Sequence, residues 1–232
     1  RLIDTASIYQ NEVGIGEGIK TCEVPREDIF LTTKIWNDCQ GYEKTLKAAE
    51  ASIKRLQVEY LDLLLIHWPV PTQNLYLDSW RALIKLRNDG LVRSIGVSNF
   101  NIPHLKTIID ETAVLPVLNQ IELHPLFQQV ELRTFHNSHG IFTESWAPLA
   151  RGEVLQARVI SDLAQKFSKT PAQIVLRWHI DHGLIAIPKT SSTDRLLENI
   201  SVFDFELDKE ALASLATIEM GKRIGPDPET FA

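Results

Sequence analysis

The stretch EYLDLLLIHWPVP, residues 59–71, combines a strand-like apolar run with an abrupt polar end. Its residues 61–66 are apolar except for Asp62, a pattern typical of a strand that is buried on both faces. The run stops at His67, just before a Trp-Pro pair. A buried imidazole needs a hydrogen-bond partner, whereas an imidazole at the end of a parallel strand can belong to a site on the rim of the sheet. Both interpretations of His67 are open at this point.

Six other short apolar runs predict buried strands of the same kind. They are Leu2–Ile3, Ile29–Thr33, Ser94–Val97, Val117–Ile121, Ile141–Ser145 and Leu184–Ile187. Amphipathic segments between the runs predict helices, for example over residues 42–57, and Asn101, Thr170 and Asp208 are predicted N-caps of later helices. Seven alternations of strand and helix favour an α/β fold with a parallel sheet. We interpret the pattern as a (β/α)8 TIM barrel that lacks its first strand.

A doubly wound sheet is the structural alternative, and it would normally carry a G-x-G-x-x-G fingerprint after its first strand. The nearest match is GIGEG, Gly14–Gly18, but Ile19 occupies the position of the third glycine. The segment also does not follow a predicted strand. We therefore interpret these glycines as part of a loop or a short helix.

Composition excludes several classes of protein. The 232 residues are 44% hydrophobic and 23% charged, and the formal net charge of −6 argues against general nucleic-acid binding. No apolar run approaches the roughly 20 residues of a membrane span. Two cysteines are too few for a disulfide framework and fit a reducing cytoplasm. No linker divides the chain, so we predict one domain over residues 1–232. Because it begins as if at the end of a strand, we expect further residues before Arg1 in the natural protein.

Polar or aromatic side chains stand at the ends of the predicted strands. They are Asp4, Lys34, His67, Ser98, Asn99, Gln120, Trp146 and Lys189. In a parallel barrel all C-terminal strand ends lie on one face, which carries the chemistry in barrel enzymes. Taken singly, each has an ordinary explanation: Asp4 could cap a turn and Lys34 could be solvated. Their combination predicts a site.

Tyr9, Lys34, Asp4 and His67 together form a coherent proton-donating set. A free tyrosine loses its proton near a pKa of about 10, and a neighbouring ammonium favours the phenolate. The carboxylate of Asp4 could hold the Lys34 ammonium in place, and His67 could orient a carbonyl oxygen. Such a phenol can protonate an oxygen on which negative charge develops, which is the task in carbonyl reduction by hydride.

A candidate anion site follows the seventh predicted strand, in IPKTSSTDRLLEN. Lys189, Thr190 and Ser191 precede a helix whose N-terminal amides attract phosphate, and Arg195 lies near its start. An arginine there can favour a 2′-phosphate, and hence NADP over NAD. A capped surface helix with stray positive charges is the alternative explanation of this segment.

Eight segments, in order along the chain, resemble those of the aldo-keto reductase family. They are DTASIYQNE, LTTKIW, LLLIHWP, SIGVSNF, NQIELHP, SWAPLARG, KTPAQIVLRW and IPKTSSTDRLLEN. The resemblance covers nearly the whole chain and implies a TIM barrel of the aldo-keto reductase type with NADP(H) as cofactor. It also implies that an N-terminal hairpin, a first strand and a first helix precede RLIDTA. We expect no metal ion.

Roles for individual residues follow from this resemblance. It implies Asp4, Tyr9, Lys34 and His67 as the catalytic group, with Tyr9 as general acid. It implies Ser98, Asn99 and Gln120 at the nicotinamide carboxamide, Trp146 stacked on the ring, Lys189, Thr190, Ser191 and Arg195 at the 2′-phosphate, and Glu198 and Asn199 near the adenine. Trp36 and Trp68, with His67, would line the substrate pocket, although Trp68 could simply pack at the barrel rim. Trp146 stands where many members have tyrosine.

Within the family, the chain looks closest to the bacterial 2,5-diketo-D-gluconate reductase and methylglyoxal reductase group. This implies reduction of keto-sugars, methylglyoxal and other small carbonyls, with the tail of residues 220–232 near the substrate pocket. We expect a cytoplasmic monomer without nucleic-acid or membrane partners. The alternatives are an NADP-binding regulatory module with little turnover and a Schiff-base lyase that uses Lys34.

Overall fold

The computed structural model of the protein describes residues 1–231, in which the seven strands of a parallel sheet alternate with helices. The strands are β1 (Leu2–Asp4), β2 (Phe30–Ile35), β3 (Leu61–Ile66), β4 (Val92–Ser98), β5 (Leu118–Glu122), β6 (Phe142–Trp146) and β7 (Ile185–Ala186). Their order in the sheet is the same as their order in the sequence. The predicted α/β class and all seven predicted strands are confirmed; β3 has the predicted bounds, and the bounds of the others differ by at most two residues.

Nine α-helices connect or follow the strands in the described part of the chain. They are α1 (Glu12–Thr21), α2 (Tyr42–Leu56), α3 (Tyr76–Asn88), α4 (Ile102–Thr112), α5 (Val130–His139), α6 (Arg158–Phe167), α7 (Pro171–Asp181), α8 (Thr193–Ile200) and α9 (Lys209–Ala216). The N-caps predicted at Asn101, Thr170 and Asp208 are confirmed, since Thr170 and Asp208 accept backbone N–H bonds from Gln173 and Ala211. The GIGEG glycines lie inside α1, so the helical interpretation of that segment is correct.

The chain forms two compact units. Unit 1 contains Arg1–Asn119, His139–Ile141 and the residues from Asp227 onward, and unit 2 contains Gln120–Ser138 and Phe142–Pro226. Strand β5 begins in unit 1 and ends in unit 2.

Unit 1 is built around β3, whose six residues are all buried. It pairs in parallel with β2, where Lys34 faces Leu65, and with β4, where Leu65 faces Gly96. A Cβ at Gly96 would lie 2.7 Å from the carbonyl oxygen of Leu118. Glycine is therefore needed here because the next strand approaches too closely for any side chain.

Unit 2 contains the parallel pair β6–β7, in which Ser145 faces Ala186. Helix α7 carries much of its core, since Ile174, Val175 and Trp178 are fully buried. Its N-terminus is closed by a capping box: the Thr170 hydroxyl accepts the N–H of Gln173, and the Gln173 side chain accepts the N–H of Thr170. Reciprocal caps of this kind fix where a helix begins.

Candidate active site

Lys34 is a fully buried lysine near the end of β2. Its ammonium pairs with the carboxylate of Asp4, the last residue of β1, and donates to the carbonyl oxygen of Thr5 at 3.0 Å. A buried ammonium is strongly unfavourable unless it is paired and hydrogen-bonded. These two oxygens therefore fix the position of Nζ, as the sequence predicted for Asp4; Thr5 was not predicted.

Tyr9 is the exposed member of the predicted catalytic group, with half of its surface accessible. It ends a short 3₁₀ helix, Ser7–Tyr9, which is held against β2 because the Ser7 hydroxyl donates to the carbonyl oxygen of Lys34 at 3.0 Å. The Lys34 ammonium lies 5.4 Å from the centre of the Tyr9 ring. The local turn thus presents the tyrosine ring to solvent next to a buried positive charge.

His67 follows the last residue of β3 and is buried. Its Nδ1 atom is enclosed and has no hydrogen-bond partner among residues 1–231. Burial, together with the nearby charge of Lys34, lowers the pKa of His67 from 6.5 to about 3. His67 is therefore a neutral imidazole whose Nδ1 atom has no hydrogen-bond partner among the described residues, which favours the interpretation of His67 as part of a site on the rim of the sheet.

Aromatic rings surround His67 within unit 1. Its ring centre lies 5.8 Å from that of Tyr9 and 5.0 Å from that of Trp36, both edge to face, and 6.4 Å from the nearly parallel ring of Trp68. Phe231 packs on Trp68 at 4.5 Å. Phe231 was not predicted from the sequence, because an isolated aromatic residue in a tail carries no periodic signal.

Ser98 and Asn99 lie at the end of β4 and are buried. Asn99 has a left-handed backbone, φ 63°, a conformation that asparagine tolerates better than most residues. Its side-chain amide donates to the carbonyl oxygen of His67 at 2.9 Å and to the Ser98 hydroxyl at 3.0 Å. The predicted cofactor residues of unit 1 are thus tied directly to the strand end that carries His67.

Gln120 and Trp146 are the predicted nicotinamide contacts in unit 2. Gln120 lies inside β5, is buried, and donates to the Glu144 carboxylate at 2.6 Å. Trp146 is the last residue of β6 and is half-buried. Both side chains therefore have defined positions on neighbouring strands of this unit.

The predicted phosphate segment of unit 2 is more exposed. Lys189, Ser191 and Arg195 are exposed, and Thr190 is half-buried. Ser192, not predicted from the sequence, is the N-cap of α8 and accepts the N–H of Arg195 at 3.4 Å. The last two predicted residues of this segment, Glu198 and Asn199, are half-buried on α8.

The structure therefore brings together Asp4, Tyr9, Lys34, His67, Trp36, Trp68, Ser98 and Asn99 within unit 1. The other predicted residues lie in unit 2: Gln120 in the middle of β5, Trp146 at the end of β6, and the rest between β7 and the end of α8. The sequence placed Gln120 at the end of its strand, and the structure corrects this because β5 continues to Glu122. No helix in the described part of the chain is both long and apolar enough to cross a membrane.

Comparison with known proteins identifies the family. The profile of the Aldo/keto reductase family matches residues 1–219. The chain belongs to this family. The prediction from the sequence is thereby confirmed, and the chain is an oxidoreductase with an α/β fold of the TIM-barrel type.

Three individual relatives show which members of the family this chain resembles. A methylglyoxal reductase, DkgA of Salmonella typhimurium, is 53% identical over 233 residues, covering 100% of this chain and 84% of the relative. A mutant of Gox0644 in complex with NADPH has a TM-score of 0.96 at 50% identity, covering 100% of this chain and 84% of the other. A Bombyx mori aldo-keto reductase in complex with NADP has a TM-score of 0.90 at 36% identity, covering 99% and 81%. The predicted placement in the bacterial methylglyoxal reductase group is confirmed.

Proposed function

We propose that this protein reduces small aldehydes and ketones with NADPH, and that Tyr9 is the general acid. The observation that carries the proposal is the buried ammonium of Lys34, paired with Asp4 and lying 5.4 Å from the Tyr9 ring. A positive charge beside a phenol favours its ionised form, so the phenolic proton is more readily given up to an oxygen that is gaining negative charge.

His67 would orient the substrate in this scheme. A neutral imidazole has one N–H donor. Nδ1 is enclosed, so we assign the proton to Nε2, where it can bond the carbonyl oxygen that Tyr9 protonates. Because the pKa of His67 is lowered to about 3, the ring does not compete with Tyr9 as an acid near neutral pH.

The residues present fit an NADP cofactor. Buried amide and hydroxyl groups at Ser98, Asn99 and Gln120 suit a carboxamide, and the indole of Trp146 suits a flat ring. Exposed cations at Lys189 and Arg195, with the hydroxyls of Thr190 and Ser191, suit a phosphate, and Glu198 and Asn199 would lie near an adenine. When bound, the reduced cofactor supplies the hydride. The two relatives with NADPH and NADP in their structures support this assignment.

The rings near His67 support small carbonyl compounds as the substrate class. Trp36, Trp68 and Phe231 offer apolar walls, and the neutral His67 offers one hydrogen bond, which suits small carbonyl compounds. The name of the Salmonella relative supports methylglyoxal as a substrate, and we include 2,5-diketo-D-gluconate on the sequence resemblance. The contacts of Phe231 support a role for the tail of residues 220–232 in the substrate pocket.

The test is NADPH consumption with methylglyoxal, a panel of aldehydes and keto-sugars, and the Tyr9→Phe variant. We expect Tyr9→Phe to lower kcat by about 10²- to 10⁴-fold with unchanged NADPH affinity. Tyr42→Phe, at an exposed position on α2, is the matched control.

Other outcomes would contradict the proposal. Full activity of Tyr9→Phe would exclude Tyr9 as the acid. Tight NADPH binding without turnover of any carbonyl would favour a regulatory module. Borohydride trapping of substrate on Lys34 would favour a Schiff-base lyase.

A further inference from the structure

Glu122 is a fully buried carboxylate at the end of β5 with no role in the proposed mechanism. Its oxygens accept the backbone N–H groups of Ile224 at 2.5 Å and Gly225 at 2.9 Å. The Nε2 atom of His124 lies 3.2 Å away, and a guanidinium nitrogen of Arg223 lies 3.9 Å away. All five residues belong to unit 2, so one buried side chain holds three consecutive residues of the tail.

The charge of Glu122 is maintained in this setting. Burial alone would raise its pKa, but the bonds from His124, Ile224 and Gly225 outweigh it, and the pKa is lowered overall. An ionised carboxylate that accepts backbone N–H bonds binds them about twice as strongly as a neutral acceptor. Residues 223–225 are therefore firmly attached.

The same segment is attached at a second point. The N–H groups of Met220 and Lys222 donate to the carbonyl oxygen of Leu126 at 3.1 and 3.2 Å, and the Lys222 ammonium pairs with Glu153. Contacts on both sides of Gly221 leave the path of residues 220–225 well defined within unit 2.

Gly225 lies directly against Trp146. A Cβ built on Gly225 would be 2.3 Å from Cη2 of the indole, 3.2 Å from Cζ3, and 2.9 Å from Oε2 of Glu122. Its φ is outside the left-handed range, so the backbone itself would accept alanine. Space, rather than conformation, requires glycine here.

We propose that Glu122 and Gly225 are positioning residues for Trp146. The Glu122 carboxylate holds residues 223–225 in place, and Gly225, which has no side chain, lets the edge of the indole lie directly against its backbone. The inference rests on the proposed function, in which the indole supports the nicotinamide ring. A small displacement of that support would misalign hydride donor and acceptor, since misplacement by about 1 Å can slow a reaction about 100-fold.

This arrangement makes a specific prediction about residue pairs. Of the three atoms that a Cβ on Gly225 would meet, Cη2 and Cζ3 belong to the six-membered ring of the indole, and the third is Oε2 of Glu122. A tyrosine at position 146 lacks that ring, so an alanine at position 225 would then meet only the carboxylate oxygen of Glu122 and should be tolerated better than beside Trp146. Gly225 and Trp146 should therefore behave as a coupled pair.

The test compares Gly225→Ala in two backgrounds, the natural Trp146 and the Trp146→Tyr variant. With Trp146, we expect Gly225→Ala to slow the transfer of deuteride from deuterated NADPH, measured in a single turnover, by about 10- to 100-fold. The KM for methylglyoxal, measured at steady state, should change little. With Trp146→Tyr, where only the contact with Glu122 remains, the same alanine should slow the rate much less than it does with Trp146. Gly18→Ala is the matched control, since open space surrounds that glycine and its φ is also outside the left-handed range.

A cofactor-free measurement follows the indole itself. Fluorotryptophan labelling gives one ¹⁹F signal for each of the five tryptophans, and loss of a signal in Trp146→Tyr assigns that of Trp146. We expect Gly225→Ala and Glu122→Gln to shift this signal more than the other four. Glu122→Gln keeps one acceptor oxygen, so its effect should be smaller than that of Glu122→Ala, and thermal unfolding checks that each variant folds.

The outcomes separate the two proposals. If Gly225→Ala slows hydride transfer equally in both backgrounds, or leaves the Trp146 signal and the rate unchanged, the positioning role is wrong while the reductase function stands. If the unmodified protein transfers no hydride from NADPH to any carbonyl, the proposed function fails and the positioning role fails with it. Rescue by Trp146→Tyr, together with the selective ¹⁹F shift, supports both.

Discussion

The catalytic group of unit 1 and the phosphate segment of unit 2 hold their positive charges differently: the first is buried and paired, and the second is exposed to solvent. Lys34 is fully buried, held by Asp4 and by the carbonyl oxygen of Thr5. Lys189 and Arg195 are exposed, and of the two only Arg195 lies on a regular element, α8. Proton donation requires a fixed distance between donor and acceptor, whereas attraction of a phosphate tolerates movement of a long cationic side chain. The difference suggests that unit 1 is organised before ligands arrive.

The test with the largest expected effect removes the buried positive charge of Lys34. Lys34→Met should lower carbonyl reduction by about 10²- to 10⁴-fold and lower the free energy of unfolding by about 3–5 kcal/mol, because Asp4 loses its partner. Steady-state kinetics and denaturant unfolding measure the two effects. Lys47→Met, on the exposed side of α2, should change neither. Undiminished activity in Lys34→Met would show that Tyr9 needs no neighbouring ammonium.

Removal of an exposed cation should have a smaller and different effect. Arg195→Ala should weaken NADPH binding by about 10- to 100-fold, the equivalent of one charge-assisted hydrogen bond, without lowering kcat or the stability of the protein. NADH, which has no 2′-phosphate, should bind equally well to both proteins. Titration of each cofactor measures this, with Arg158→Ala on α6 as the control. An equal loss for both cofactors would place Arg195 elsewhere than at the 2′-phosphate.

The third test concerns pH and the neutral imidazole of unit 1, and its effect is spread over several pH units. The folded pKa of His67 is about 3, whereas an unfolded histidine titrates near 6.5. Between these values the unfolded chain binds the extra proton, so stability should fall as pH falls, by up to about 1.4 kcal/mol per pH unit from this residue. Urea unfolding from pH 7 to pH 4 should show a shallower slope in His67→Asn than in the unmodified protein. The exposed His139→Asn variant serves as the reference. A slope unaffected by His67→Asn would mean that folding does not lower the pKa of His67, since only a difference in proton binding between the two states changes the slope.

The sequence predicted the repeating part of the structure, namely the alternation of buried strands and amphipathic helices. Seven apolar runs with polar ends gave the strands, and the parallel topology then brought Asp4, Lys34 and His67 together although they are far apart in the chain. Local caps such as Thr170 were also predictable, because capping acts over three residues.

The contacts that were not predicted have no local pattern. Thr5 acts through its backbone carbonyl, which any residue would supply. Phe231 and Gly225 act from the tail on rings about 160 and 80 residues away in the sequence. Glu122 stands in a strand where a carboxylate gives no indication that it binds backbone amides. Contacts of this kind depend on which distant part of the chain packs against the site. The local spacing of residues in the sequence carries no information about that packing.

The pairing of Asp4 with Lys34 also has a consequence for ionic strength. Their charges cancel, and His67 is uncharged, so this part of unit 1 presents little field to the solution. Dissolved ions screen exposed charges beyond about 8 Å at physiological salt but act weakly on buried pairs. Added salt should therefore weaken the capture of a phosphate-bearing cofactor by Lys189 and Arg195 while leaving the chemical step unchanged. Salt would then control how often the enzyme is loaded, and not how fast the loaded enzyme reacts.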